Sequence, residues 1–182
     1  MPHIDLPAEL PGIRALFAFR PETAVSLCDL AETLLRGPSS LSPGERELIA
    51  AYVSSLNDCS FCCGSHSAFA ARQLDGGMSL VEHVKRDLDS APVSEKMRAL
   101  LRIGAKVQQS GRRVTNEDVA ASRQAGATDM EIHDAVLIAA AFCMFNRYVD
   151  GLGTWAPTDP AMVAERAERL VARGYRVEGS AR

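Results

Sequence analysis

ERELIAAYVSSLNDCSFCCGSH, residues Glu45–His66, decides how this chain is read. Leu48, Ile49, Tyr52, Val53 and Leu56 recur at spacings of three and four, the signature of one apolar helix face. Asn57-Asp58 are poor helix-interior residues and good caps, so a second helix is expected to start there, with Cys59 in its first turn. At about 100° per residue, Cys62 sits about 60° from Cys59 and His66 about 40° from Cys62. All three then share one face, with Cys62 and His66 stacked as an i,i+4 pair. Glu47 lies on the preceding helix and would reach this face by packing. In the first turn, unpaired N–H groups and the macrodipole favour Cys59 as the more acidic thiol, whereas the base one turn on favours Cys62. Two thiols, a base and a carboxylate to orient it make the layout of an activated nucleophile.

Outward from this stretch, the helical signals continue in both directions. Ser42-Pro43-Gly44-Glu45 has the form of a capping box with proline at the first helical position. Upstream, Pro21–Arg36 reads as a helix with Ala24, Leu27, Cys28, Leu30, Leu34 and Leu35 inward, stopped by Gly37-Pro38. Ile13–Phe19 is a short helix, and Leu6–Pro11 is an extended lead-in over the surface. Downstream, the cysteine helix is expected to run to about Leu74, followed by helices at about Ser79–Leu88 and Ser94–Gln109. Thr115-Asn116-Glu117-Asp118 caps the next, and Thr128-Asp129-Met130-Glu131 opens a long apolar helix to about Val149. Residues 159–174 alternate Ala, Val and Leu with Glu and Arg, as a surface helix does. No segment sustains period-two alternation. The expectation is an all-α, single-domain chain of eight or nine helices over residues 1–182, with its core at about 20–155.

One internal echo accompanies this. Sliding the chain by 84 residues sets Glu47, Cys59, Cys62 and His66 on Glu131, Cys143, Asn146 and Asp150. The two regions would then be pseudo-repeats, with the chemistry kept in the first.

Composition narrows the function classes. Of 182 residues, 47% are hydrophobic and 24% charged, ordinary for a globular chain. A net charge of -3 leaves no footprint for nucleic acid or an anionic membrane surface. The N-terminus lacks a secretory pattern, and no apolar stretch approaches a membrane span, so no membrane association and a cytoplasmic location are expected. Five cysteines, an odd number, argue against a structural disulfide framework. CxxC then reads as redox or as metal.

A pair at i,i+3 near a helix N-terminus can close a disulfide, and one thiol can be held partly ionised. The plain alternative is two buried small hydrophobes. His66 is placed to act as a base, against an ordinary solvent-facing histidine; Glu47 is either its partner or a solvated early-helix acid. Cys59, Cys62, His66 and Glu47 could also present to zinc, but no second Cys/His pair has the spacing of structural zinc sites. Cys63 points away from the pair and, like Cys28 and Cys143, reads as core. Phe61 and Phe69 shield the site, while His3, His83 and His133 read as surface residues. Asn146 ends an apolar run beside Arg147, and a polar side chain buried there needs a partner.

The spacing Glu-x11-Cys-x2-Cys-x3-His, filled by Glu47, Cys59, Cys62 and His66, resembles the alkylhydroperoxidase D / carboxymuconolactone decarboxylase-like family. The phrasing Asn57-x-Cys59-x-Phe61-Cys62, with Asn146-Arg147 before Leu152-Gly153, is similar to its peroxidase-related branch. The resemblance implies an all-α fold with a repeated helical core, assembled as dimers, trimers or hexamers. It implies hydroperoxide reduction (peroxiredoxin activity), with Cys62 attacking and Cys59 closing a redox-active Cys59–Cys62 disulfide. His66, linked to Glu47, would handle the proton, an external dithiol would restore the thiols, and no cofactor or metal is implied. The family's well-characterised hydroperoxidase has a histidine between its cysteines, where this chain has Phe61. Its decarboxylase branch lacks the CxxC pair, which disfavours lactone decarboxylation. General thiol–disulfide exchange and a non-catalytic redox or zinc sensor are the other functions the motif admits.

Overall fold

The structure, a computed structural model, describes residues 1–176. Among them are nine α-helices and no strand: α1 (Ile13–Phe19), α2 (Pro21–Arg36), α3 (Pro43–Leu56), α4 (Ser60–Ala71), α5 (Gly77–Arg86), α6 (Glu95–Gln109), α7 (Asn116–Gln124), α8 (Asp129–Gly151) and α9 (Pro160–Arg173), with a 3₁₀ turn at Gly111–Arg113. The three capping boxes form as the sequence predicts. Ser42 pairs with Glu45, Thr115 with Asp118 and Thr128 with Glu131, each satisfying N–H groups that a helix start leaves open.

α3 is the hub, packed against α4, α6 and α8. Its Leu48, Ile49, Ala50, Ala51 and Val53 are all buried, so it is apolar all round rather than on one face. At its N-terminal end Arg46 is buried and donates to the carbonyls of Leu34 (3.1 Å) and Gly37 (2.9 Å), satisfying the open end of α2. α9 closes over α4 from the other side.

The boundary between α3 and α4 differs from the sequence expectation. Asn57 caps the C-terminus of α3, Asp58 takes a left-handed φ of 56°, and Cys59 is the N-cap of α4. Asn and Asp suit both a helix start and a left-handed stop, and here the stop prevails. Cys59 therefore precedes the first turn, and Cys62 falls within it. Shorter corrections follow the same physics: α4 ends at Ala71 and α5 opens at Gly77 (φ 54°), two residues before the expected Ser79.

The N-terminal lead-in runs over the surface, as expected, and is fastened there by Leu6 and Pro11, which are buried. His3 N–H donates to the Leu152 carbonyl, Gly12 N–H to that of Trp155, and Trp155 Nε1 to that of Ala8. Leu6, Ala15 and Leu16 pack with Cys59, Phe61, Cys62 and Val149 in one apolar cluster. At Gly12 (φ 54°) a Cβ would lie 2.3 Å from the Phe61 ring, so the strap meets the cysteine helix only through glycine.

The 84-residue echo is not a repeated unit. It sets α3, a turn and α4 on the single helix α8, and Glu131 fills a capping box about 22 Å along α8 from Asn146. α8 also amends the expectation about apolar runs: by length and composition alone it is sufficient to cross a membrane. In this fold it is a core helix, with Ile132, Ala135, Ile138, Ala139, Phe142 and Phe145 buried.

Glu131 ties the start of α8 to its neighbours. Its carboxylate is 2% exposed and accepts from Lys96 Nζ (2.8 Å), Ser40 Oγ (2.9 Å) and Thr128 N–H (2.8 Å). Burial pushes its pKa up, but these donors outweigh it and hold the group down at about 2 instead of 4.5. A depressed carboxylate adds stability above its unfolded pKa and loses it as pH falls through the folded one. Glu131→Gln should therefore lower unfolding free energy at pH 7 by about 2 kcal/mol in urea titrations. The deficit should close as pH falls from about 4.5 towards 2.

Candidate functional site

The left-handed turn at Asp58 folds α4 back along α3 and brings Glu47 to His66. Glu47 is 1% exposed, and its Oε2 lies 2.6 Å from His66 Nδ1. The bond is direct. Its other oxygen accepts from the Tyr175 hydroxyl at 2.5 Å. The Tyr175 ring lies parallel to His66, with centroids 6.2 Å apart, and Phe69 and Phe142 meet the imidazole edge-on at 5.1 and 4.5 Å. A buried carboxylate is costly unless its oxygens are matched, and here both are. Burial first, then Glu47 beside it, pushes the Tyr175 phenol up, so the hydroxyl stays protonated and donating.

Cys59 and Cys62 are free thiols, 0% and 4% exposed. Their proximity separates their acidities. The Cys59 thiol lowers the Cys62 pKa against the upward pull of burial; Asn146 and the Arg166 charge act in the same direction and the Asp150 charge against it. The same interaction, with burial, pushes Cys59 up. Helix position does not decide the order: the Cys62 backbone N–H favours a thiolate at Cys59, and the contact between the two thiols outweighs it. Asn146 is buried, as the sequence required of a residue with partners. Its Oδ1 accepts from Asn57 Nδ2 (2.7 Å), its Nδ2 donates to Ser54 Oγ (3.1 Å), and Gln108 secures Asn57 in turn (3.0 Å). Arg147 is exposed and turns back to the Cys143 carbonyl, away from the thiols.

Cys62 and His66 open onto one cavity of about 530 Å³ between α1, α2, α4, α8 and α9. Phe61 lines it as expected, while Phe69 is packed in the core behind His66; the Arg166 guanidinium lies 4.7 and 5.8 Å from their ring centroids. Cys63 faces away from the pair, but it is half-buried beside Lys85 Nζ (3.7 Å) rather than in the core. Cys143 is core, while Cys28, also buried, lines the cavity. His83 is half-buried, bonded to Ser90. Among the described residues no three His, Cys, Asp or Glu side chains converge to hold a metal ion.

Sequence reasoning missed Tyr175 and Arg166. Each left a local signal. Arg166 interrupts the apolar stripe Val163, Ala167, Leu170 of α9, and Tyr175 follows Gly174 (φ 79°), where a ring commonly folds back on a helix end.

The chain is similar to known proteins in sequence pattern and in fold. The carboxymuconolactone decarboxylase family model matches residues 21–75, which span α2, α3 and α4. A peroxidase-related protein of alkylhydroperoxidase AhpD core from Ralstonia eutropha JMP134 has a similar fold: TM-score 0.77, 24% identity, over 87% of this chain and 81% of that one. A peroxidase-related protein from Silicibacter sp. TM1040 gives TM-score 0.74 at 28% identity, over 81% of this chain and 77% of that one. The debrominase Bmp8, solved with 2,3,4-tribromopyrrole, gives 0.72 at 18%, over 87% and 83%. No curated protein matches. The chain thus carries the decarboxylase family's pattern over α2–α4 and the alkylhydroperoxidase D fold over most of its length, and the resemblance read from the sequence is borne out.

The thiol asymmetry is open to direct titration. A small alkylating reagent should modify Cys62 with a pH midpoint below 9.0. Cys59→Ala should raise that midpoint, since the neighbouring thiol is lost, and Asn146→Ala should raise it less. Peptide mapping across pH reads both; an unchanged midpoint in Cys59→Ala would remove Cys59 as the cause.

Proposed function

We propose that the protein is a thiol-dependent hydroperoxide reductase in which Cys62 attacks, Cys59 resolves and His66 with Glu47 moves the proton. The observation that carries this reading is the acidified Cys62 opening onto the same cavity as a histidine whose Nδ1 is held by a buried carboxylate. With Nδ1 committed to Glu47, Nε2 is the nitrogen available to the substrate side. The Cys62 thiolate attacks the outer peroxide oxygen, the O–O bond breaks, and the departing alkoxide takes a proton from His66. Cys62 becomes a sulfenic acid. The Cys59 thiol then forms the disulfide with Cys62, and water leaves with its proton. A dithiol donor reduces the disulfide and completes the cycle.

Phe61 does not remove the means of thiol activation, since Asn146 and Arg166 act on Cys62 from α8 and α9. General disulfide exchange with folded proteins fits less well, because both thiols are buried and an attacking thiolate needs access. The reductant is therefore a dithiol slender enough to enter the cavity. Free thiols throughout suit a reducing compartment such as the cytoplasm. The exposed Leu137, Ala140 and Met144 follow one face of α8 and suit a homo-oligomer contact; sedimentation as a monomer at micromolar concentration would exclude it.

Single-turnover peroxide consumption with mass spectrometry of the trapped species tests the chemistry. Cys62→Ser should abolish turnover, whereas Cys59→Ser should consume about one equivalent and stall as a sulfenic acid. His66→Ala should slow attack by roughly 10²–10⁴-fold, and Glu47→Gln should act in the same direction but less. A sulfenic acid on Cys59 in Cys62→Ser would reverse the roles.

A further inference from the structure

The cavity wall divides into two chemistries. Its inner wall is apolar, with Phe17, Leu27, Phe142 and Phe145 facing the space beside Cys62. Its rim carries five arginines, Arg14 from α1, Arg166, Arg169 and Arg173 from α9 and Arg176 beyond it, of which Arg14, Arg166 and Arg169 form one group. The three guanidinium groups sit near enough that Arg14 and Arg169 oppose the charge on Arg166. None of the three makes an ion pair among the described residues.

Arg166 is the most constrained of them. Its guanidinium lies over Phe61, and its Nη1 is shielded from solvent with no hydrogen-bond partner among the described residues. A shielded guanidinium N–H without an acceptor costs free energy that a bound acceptor would recover. The acids nearby are engaged elsewhere or stand outside. Glu47 serves His66 and Tyr175, Glu32 accepts from Tyr175 N–H and pairs with Arg36, and Asp29 faces Arg176. Glu165 borders a smaller recess on the outer side of the same three arginines and pairs with none of them. Stabilising the Cys62 thiolate explains part of Arg166, but it leaves Nη1 unmatched and gives no role to Arg14 or Arg169.

We infer that this cavity binds an amphiphilic carboxylate: an organic hydroperoxide whose chain or ring lies on the apolar wall and whose carboxylate is held by Arg14, Arg166 and Arg169. The hydroperoxide part rests on the reading of the thiol pair given above; the carboxylate part rests on the arginines. A guanidinium matches a carboxylate with two parallel N–H···O bonds, and a monoanion costs less to desolvate beside aromatic rings than a phosphate dianion. The cavity's volume is within the range of small-molecule sites. Reduction then turns the hydroperoxy acid into the hydroxy acid, with the electrons supplied by Cys62 and Cys59 as described.

Two measurements on the full chain separate the two parts. Isothermal titration calorimetry on the reduced protein compares decanoate with decan-1-ol, which share an apolar body and differ in charge. Decanoate should bind at least about 10-fold more tightly, and Arg169→Gln and Arg14→Gln, both at exposed positions, should each erase most of that ratio. Stopped-flow oxidation of Cys62 then compares a medium-chain hydroperoxy fatty acid with its methyl ester. The acid should react about 10-fold faster at low concentration, and the same two substitutions should shrink the acid-to-ester ratio. Equal binding of decanoate and decanol, or equal rates for acid and ester, overturns the carboxylate inference and leaves the peroxidase reading standing. Selective decanoate binding with no thiol oxidation by either hydroperoxide overturns the peroxidase reading and keeps the carboxylate site. Inorganic phosphate that displaces decanoate at equal concentration would identify a general anion site and overturn the choice of carboxylate.

Discussion

Three residues between α3 and α4 set the geometry on which the site depends. Asn57 ends one helix, Asp58 reverses the chain through the left-handed region, and Cys59 begins the next. Had the helix continued, Glu47 and His66 would lie on one rod about 28 Å apart. Because it breaks there, α4 runs back along α3 and the carboxylate meets the imidazole at 2.6 Å. The same turn sets Cys59 at the N-cap of α4 and Cys62 in its first turn. One left-handed residue thus brings Glu47 to His66, one turn along α4 from Cys62.

The interior that results is polar where it must be, and the polar groups between α3, α4 and α8 are matched. Glu47 has partners on both oxygens, Asn146 is held from two sides, and each thiol has the other. Removing one member of such a buried set costs about 3–5 kcal/mol, because its partner is left desolvated. The arrangement therefore fixes orientation more than it adds net stability. Around it, the N-terminal strap, α8 and α9 exclude water, and exclusion strengthens every charge effect on the thiols. Five arginines among its lining complete a cavity that is apolar within and cationic at its edge.

Much of this was legible in the sequence. Apolar spacing and capping boxes determined the helices, since both are local: side chains three and four apart meet on one turn, and a cap acts within three residues. The spacing of Glu47, Cys59, Cys62 and His66 named four of the groups now found together. What only the tertiary structure decided lies in choices that local chemistry leaves open. Asn57-Asp58 serve equally as a start or a stop, and packing of α4 on α3 selected the stop. Which thiol is the more acidic was decided by the contact between the two. Arg166 on α9 and Tyr175 just beyond it reach the site from more than 90 residues away along the chain. No local pattern encodes which distant side chain fills a gap beside a buried carboxylate or an aromatic ring, because that is set by the shape left when the helices close.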